Sequence, residues 1–207
     1  MQTANIEAHT PDIPASLGPL AAIEAARSMM IADRAAALAA LGALFERGTV
    51  PAQMAGPHRG ILVTTTFFPL MDRLIAVWAE RNLRWLGKRF TATGGDNIWR
   101  RYRGAADRLF WRLNGLLRWG AVEDSPERYR AFPFRTAVGR GVADRECTVL
   151  KIIYDSRPNP LPVRCVLDEL VALGDGVYLG KAHGRLIGHW RLCAYFALIG
   201  EVGGRQS

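Results

Sequence analysis

Glu169, Lys181 and His183 form the most informative polar group in this sequence. In the stretch from Val163 to Leu173, period-two alternation sets Val163, Cys165, Leu167, Glu169 and Val171 on one face, and Arg164, Val166, Asp168 and Leu170 on the other. Glu169 therefore shares an apolar side. A carboxylate turned into an apolar interior has its pKa raised and can hold a proton or anchor an amine or hydroxyl; the alternative is a bulged register, or pairing with a nearby Arg. Lys181 and His183 lie two apart on the next predicted strand, with Val177 and Leu179 on the same face. Facing inward, the three would place an acid, a base and a cation within one hairpin, a candidate acid–base centre. The opposite register sends Tyr178, Gly180 and Ala182 inward and turns the charged trio to water.

Other reactive patterns are absent from the sequence. Nothing matches H-E-x-x-H, G-x-S-x-G, a P-loop or G-x-G-x-x-G, so hydrolase and nucleotide-dependent readings lose their support. Cys147, Cys165 and Cys193 are odd in number and far apart, which gives neither a disulfide framework nor a zinc cluster and suits a reducing cytoplasm. His58, beside Gly60, reads as a strand-entry residue, with haem ligation as the alternative. No other cofactor is implied.

The elements that must position these residues follow from the rest of the chain. With 207 residues, 49% of them hydrophobic and 22% charged, it is long enough to bury a core without metals or disulfides. Residues 1–19 read as a polar leader punctuated by Pro11, Pro14 and Pro19, with no export signal, followed by one domain over 20–207. Helical periodicity predicts helices near 20–47, 69–84 and 105–119. Strands are expected at 58–66, 85–93 and 98–103, the last two joined by a Gly94–Asn97 turn. Five more follow at 129–138, 148–155, 163–173, 177–183 and 190–202, each bounded by a turn signal. Eight strands with short late connections predict an α+β, mainly β fold: an eight-stranded antiparallel up-and-down barrel with an N-terminal helix and two inserted helices.

The net charge of +8 comes mostly from residues 80–118. The helix at 105–119 sets Leu109, Phe110, Leu113, Leu116 and Leu117 against Arg108, Arg112 and Arg118. That composition suits packing over a barrel mouth, or an anionic membrane surface. Nucleic acid is not an expected partner, because Trp85, Trp99, Tyr102 and Trp111 are expected to be buried, which removes base stacking.

The string Gly56-Pro57-His58-Arg59-Gly60, and the closing strings Tyr178-Leu-Gly-Lys-Ala-His183 and Trp190-Arg-Leu-Cys-Ala-Tyr-Phe196, resemble the lipocalin-like (calycin) barrels of uncharacterised bacterial proteins over residues 55–202. His58 stands where the Trp of the usual Gly-x-Trp opening would lie, and no helix follows the last strand. The resemblance implies a cavity for a small, mainly apolar molecule such as a fatty acyl, isoprenoid or polyketide-like compound. Candidate lining residues are Leu150, Ile152, Tyr154, Leu167, Leu179, Phe196 and Leu198, with Arg135 placed to hold a carboxylate. The alternatives are a cofactor-independent isomerase, cyclase or hydratase using Glu169, His183 and Lys181 in that cavity, and an interaction module built on the basic helix.

Overall fold

β-branched and aromatic residues dominate the chain from Gly56 onward, and in the computed structural model they close into a barrel. The structure describes residues 16–66, 84–117 and 119–200. In chain order the elements are α1 (Pro19–Met29), α2 (Arg34–Glu46), β1 (Gly56–Thr65), β2 (Trp85–Phe90), β3 (Gly94–Arg100), α3 (Ala105–Leu117), β4 (Val122–Ser125), β5 (Arg128–Arg140), β6 (Thr148–Ile153), α4 (Leu161–Arg164), β7 (Val166–Gly174), β8 (Val177–Leu186) and β9 (His189–Gly200). The strands run β3-β2-β1-β9-β8-β7-β6-β5, and a further antiparallel pairing of β3 with β5 closes the ring. This is the predicted eight-stranded antiparallel barrel. The short β4 lies outside the ring, on the flank of β5 that β6 occupies further along.

Closure divides the apolar residues into two clusters. Inside the barrel, Phe90, Phe134, Ile152, Tyr154, Leu170, Phe196 and Leu198 pack together. Outside, Val63, Val149, Val171, Leu179, Tyr195 and Ala197 are covered by Ile23, Ala26, Leu41 and Phe45 of α1 and α2. Strands β7 to β9 are consequently buried on both faces along most of their length.

Several boundaries differ from the sequence expectation for local reasons. The helix expected over 20–47 is two helices, because Asp33 adopts an extended conformation and caps α2, its side chain accepting the Ala36 N–H at 2.9 Å. Gly94 to Asn97 belong to β3, and the turn lies at Thr91–Thr93. The two glycines serve close strand approach instead: a Cβ at Gly94 would lie 2.1 Å from the Phe134 carbonyl oxygen, and one at Gly95 would lie 1.9 Å from that of Arg89. Pro160 and Pro162 set a helical turn at α4, so β7, the sixth strand of the ring, starts at Val166 and not Val163. The helix expected over 69–84, apart from Arg84, and the residue Arg118 fall outside the described residues, as does most of the 1–19 leader.

Gly180 faces its cross-strand partner Phe196 inside the barrel, and a Cβ there would stand 2.2 to 2.6 Å from three atoms of the ring. The Phe196 ring is itself held edge-on by Trp85, centroids 5.7 Å apart, so it has little room to retreat. Gly180→Ala is expected to destabilise the fold by about 1–3 kcal/mol, read as a lowered urea midpoint with an unchanged far-UV spectrum.

Candidate functional site

Four polar side chains, three from separate strands and one from the residue after a fourth, meet inside the barrel. Lys88 on β2 stands opposite His58 on β1 and Asn97 on β3. Asp168 on β7 stands opposite Ile152 and Ala182, and Tyr154 follows β6 directly. The Lys88 ammonium lies 2.8 Å from Asp168 Oδ2, donates to Asn97 Oδ1 at 3.0 Å, and donates to the Tyr154 hydroxyl. Tyr154 in turn donates to the same Asp168 oxygen at 2.9 Å. Asn97 is oriented by donating to the Phe132 carbonyl at 3.1 Å, which leaves its Oδ1 for Lys88 and for the Trp85 indole N–H at 3.1 Å.

Burial governs the ionisation of this group. It lowers the Lys88 pKa below the ordinary lysine value, and the charge and hydrogen bond of Asp168 restore only part of the loss. It raises Tyr154 well above the ordinary phenol, with the Asp168 charge adding in the same direction. Tyr154 is thus a neutral donor at physiological pH. Asp168 Oδ1, the other carboxylate oxygen, has no hydrogen-bond partner among the described residues.

These four side chains form the polar part of a cavity of about 310 Å³ near the barrel end where β2 and β7 begin. Its remaining wall includes Leu62, Trp85, Trp99, Phe132, Val166 and Phe196. The volume lies at the lower end of the range for small-molecule pockets, and apolar walls with a few convergent polar groups are the usual composition of such pockets. Beyond the cavity lining, α3 sets the Phe110 ring on Tyr129, centroids 4.6 Å apart, while Leu109 and Leu116 stay exposed.

The trio Glu169, Lys181 and His183 does converge, but on the outer side of the barrel wall. Glu169 and Lys181 are cross-strand partners, and His183 donates from Nε2 to Glu169 Oε2 at 3.1 Å. Glu169 Oε1 accepts the Val142 N–H at 2.7 Å. Lys181 pairs with Asp144 Oδ2 at 2.6 Å and lies 4.4 Å above the Phe45 ring. All three are buried, so neither inward-facing nor water-facing describes them. They leave their strands opposite to Asp168 and Ala182, and none of them lines the cavity.

The other expected site residues divide in the same way. Ile152, Tyr154, Phe196 and Leu198 belong to the interior cluster and Leu150 packs against it. Leu179 packs outside beneath the helices, and Leu167 leaves β7 on the same outer side as Glu169. Arg135 is also outside, where its Nε and Nη2 hold Asp155 at 3.2 and 2.8 Å. The cause is Phe132, whose φ of 58° inserts an extra residue opposite β3 and shifts the alternation of β5 before Arg135. His58 is buried with its ring against the edges of Phe90 and Tyr178 and Nδ1 3.2 Å from the Gly56 carbonyl oxygen. Among the described residues no group of three or more His, Cys, Asp or Glu is placed to hold a metal ion.

Lys88, Asn97 and Asp168 were not anticipated as a site. One signal was available: Lys88 is one of only three lysines among 27 basic residues, in a chain that otherwise uses Arg.

No protein-family model matches the chain, and no curated protein matches it. Among solved structures, a protein from Thermomonospora curvata is similar over 87% of this chain and 99% of its own, at 19% identity and a TM-score of 0.49.

Three variants separate the inner and outer clusters. Lys88→Met leaves Asp168 as an unpaired buried charge and is expected to cost about 3 kcal/mol, most of which returns in the Lys88→Met/Asp168→Leu double variant; denaturant unfolding of all three proteins measures this. Glu169→Ala strands the Val142 N–H and the His183 donor and is expected to cost about 2–3 kcal/mol. The same variant, assayed below its unfolding transition, should hold apolar probes in the barrel with affinity within about two-fold of wild type.

Proposed function

We propose that the chain is a binding protein of the lipocalin-like kind, which takes a small, mainly apolar molecule into the barrel and orients it by one neutral polar end. The observation that carries this reading is the cavity of about 310 Å³ with aromatic and aliphatic walls and Lys88, Asn97, Tyr154 and Asp168 gathered at one place in its lining. Within the fatty acyl, isoprenoid and polyketide-like classes, that chemistry favours an alcohol, amide, ester or carbonyl compound over a free carboxylate. Lys88 is already neutralised by Asp168, and a further carboxylate would lose its hydration beside the open Asp168 Oδ1. A hydroxyl or amide N–H would instead give that oxygen a donor, which it does not have among the described residues.

No described helix is long and apolar enough to cross a membrane, and the three cysteines are free. Free thiols support a reducing compartment, which this reading takes to be the cytoplasm.

Trp85 and Trp99 line the cavity and report on it by their fluorescence. Titration with decanol and with decanoate at neutral pH is expected to show decanol binding at least about ten-fold more tightly, a difference of about 1.4 kcal/mol. Ala182→Phe, which places a ring in the cavity, should abolish the response to both. Equal affinities would overturn the preference for a neutral head group. Absence of binding, or binding indifferent to Ala182→Phe, would overturn the cavity as the site.

A further inference from the structure

We infer that Lys88 is a nucleophile as well as a hydrogen-bond donor, and that the barrel captures an apolar aldehyde as a Schiff base on its Nζ. The inference rests on the reading that the cavity admits an apolar guest, and adds the class of guest and the bond that holds it.

The first support is the choice of residue. Pairing with one carboxylate, one amide oxygen and one phenol is a task at which Arg excels, and this chain uses Arg at nearly every basic position. Lys stands at 88, inside the barrel, where only an amine offers a nitrogen that can form a bond to carbon. Of the other two lysines, Lys181 is sealed beneath Phe45 with its ammonium on Asp144, and Lys151 is partly exposed on the outer side of β6.

The second support is the placement of proton carriers. Asp168 Oδ2, 2.8 Å from Nζ, takes the ammonium proton and leaves a neutral amine, the form that burial favours at this position. The amine attacks the carbonyl carbon, the carbonyl oxygen becomes a hydroxyl with a proton from the nitrogen, and a carbinolamine results. Tyr154 donates to the same Asp168 oxygen, so the carboxyl and the phenol together can return a proton to the departing hydroxyl. Water leaves, the C=N bond forms, and the imine carries the positive charge that the ammonium carried before. One aldehyde and one lysine yield one imine and one water, with no oxidant or reductant.

The third support is the setting of the product. The cationic nitrogen keeps Asp168 as its counterion, and the rings of Trp85, Phe134, Tyr154 and Phe196 lie 5.2 to 5.5 Å from Nζ. Those ring faces stabilise a delocalised cation as they do an ammonium.

The test uses the wild-type full chain with decanal and sodium cyanoborohydride, read by intact mass and peptide mapping. One decyl group per chain is expected, at least ten-fold more on Lys88 than on Lys151, Lys181 or the N-terminal amine. Asp168→Asn, confirmed folded by its far-UV spectrum, should slow capture at least ten-fold, since its amide does not take the ammonium proton. Labelling spread evenly over the amines overturns the inference. So does absence of a Lys88 adduct while decanol still binds, which leaves the binding reading intact; failure of both decanal and decanol to bind overturns the two together.

Discussion

The ion pair between Lys88 and Asp168 spans the barrel interior, joining β2 to β7, strands that are not neighbours in the ring. A charge in that position is tolerable only when paired and hydrogen-bonded, because each ion forfeits its hydration on burial. The surrounding polar groups answer that requirement: Asn97 and Tyr154 complete the ammonium's contacts, Tyr154 also serves the carboxylate, and Trp85 and the Phe132 carbonyl fix Asn97. The pair therefore ties the register of β2, β3, β6 and β7 to one point. It also places a buried ion pair beside the cavity, so the atoms that secure the barrel are those that line its polar corner.

Covering the outside of the barrel creates the second polar cluster. With α1 and α2 packed on β1 and β6 to β9, outward-facing residues there must be apolar or paired. Glu169, Lys181 and His183 are paired, through each other and through the 141–147 segment, which gives Val142 N–H to Glu169 and Asp144 to Lys181. Each link is a charge-assisted hydrogen bond in a dry place, where loss of either partner is costly. That segment connects β5 to β6, so the outer cluster fastens the connection down against the β7–β8 hairpin.

Two-sided burial also explains which parts of the structure the sequence discloses. The strand count and the antiparallel ring follow from local alternation and turn signals, which depend on neighbours in the chain. Which face of β7 and β8 points inward does not, since Leu167 and Val171 on one side and Val166 and Leu170 on the other are equally apolar. Alternation identifies an inner face when the outer face is wet, and here it is dry. Arg135 illustrates a second limit, because the left-handed Phe132 shifts parity within one strand, and Pro133, which marks an irregular strand, does not say that the residues beyond it change face. The site itself is non-local: Lys88 and Asn97 meet Tyr154 and Asp168 only through closure of the ring. The glycines misread as a turn at Gly94 and Gly95 are part of that closure, admitting β5 and β2 to within contact of β3.

The position of the cavity follows from how side-chain size is distributed along the barrel axis. An eight-stranded barrel is just wide enough for its own side chains to fill it. Toward the end where β1 begins, His58, Phe90 and Tyr178 stack edge to face and Phe134 joins them, so aromatic rings occupy that half. Toward the other end, the row that carries Asp168 continues across β8 and β9 as Ala182 and Ala194, two methyl groups where larger side chains would close the lumen. The polar group sits at the boundary between these halves, backed by Phe134 and Phe196 and facing the space the alanines leave. From that end the lumen runs from apolar wall to the lysine, carboxylate and phenol, an order that comes from residue volume as much as from charge. On the proposed binding role, that order favours a molecule with an apolar body and a hydrogen-bonding or reactive tip.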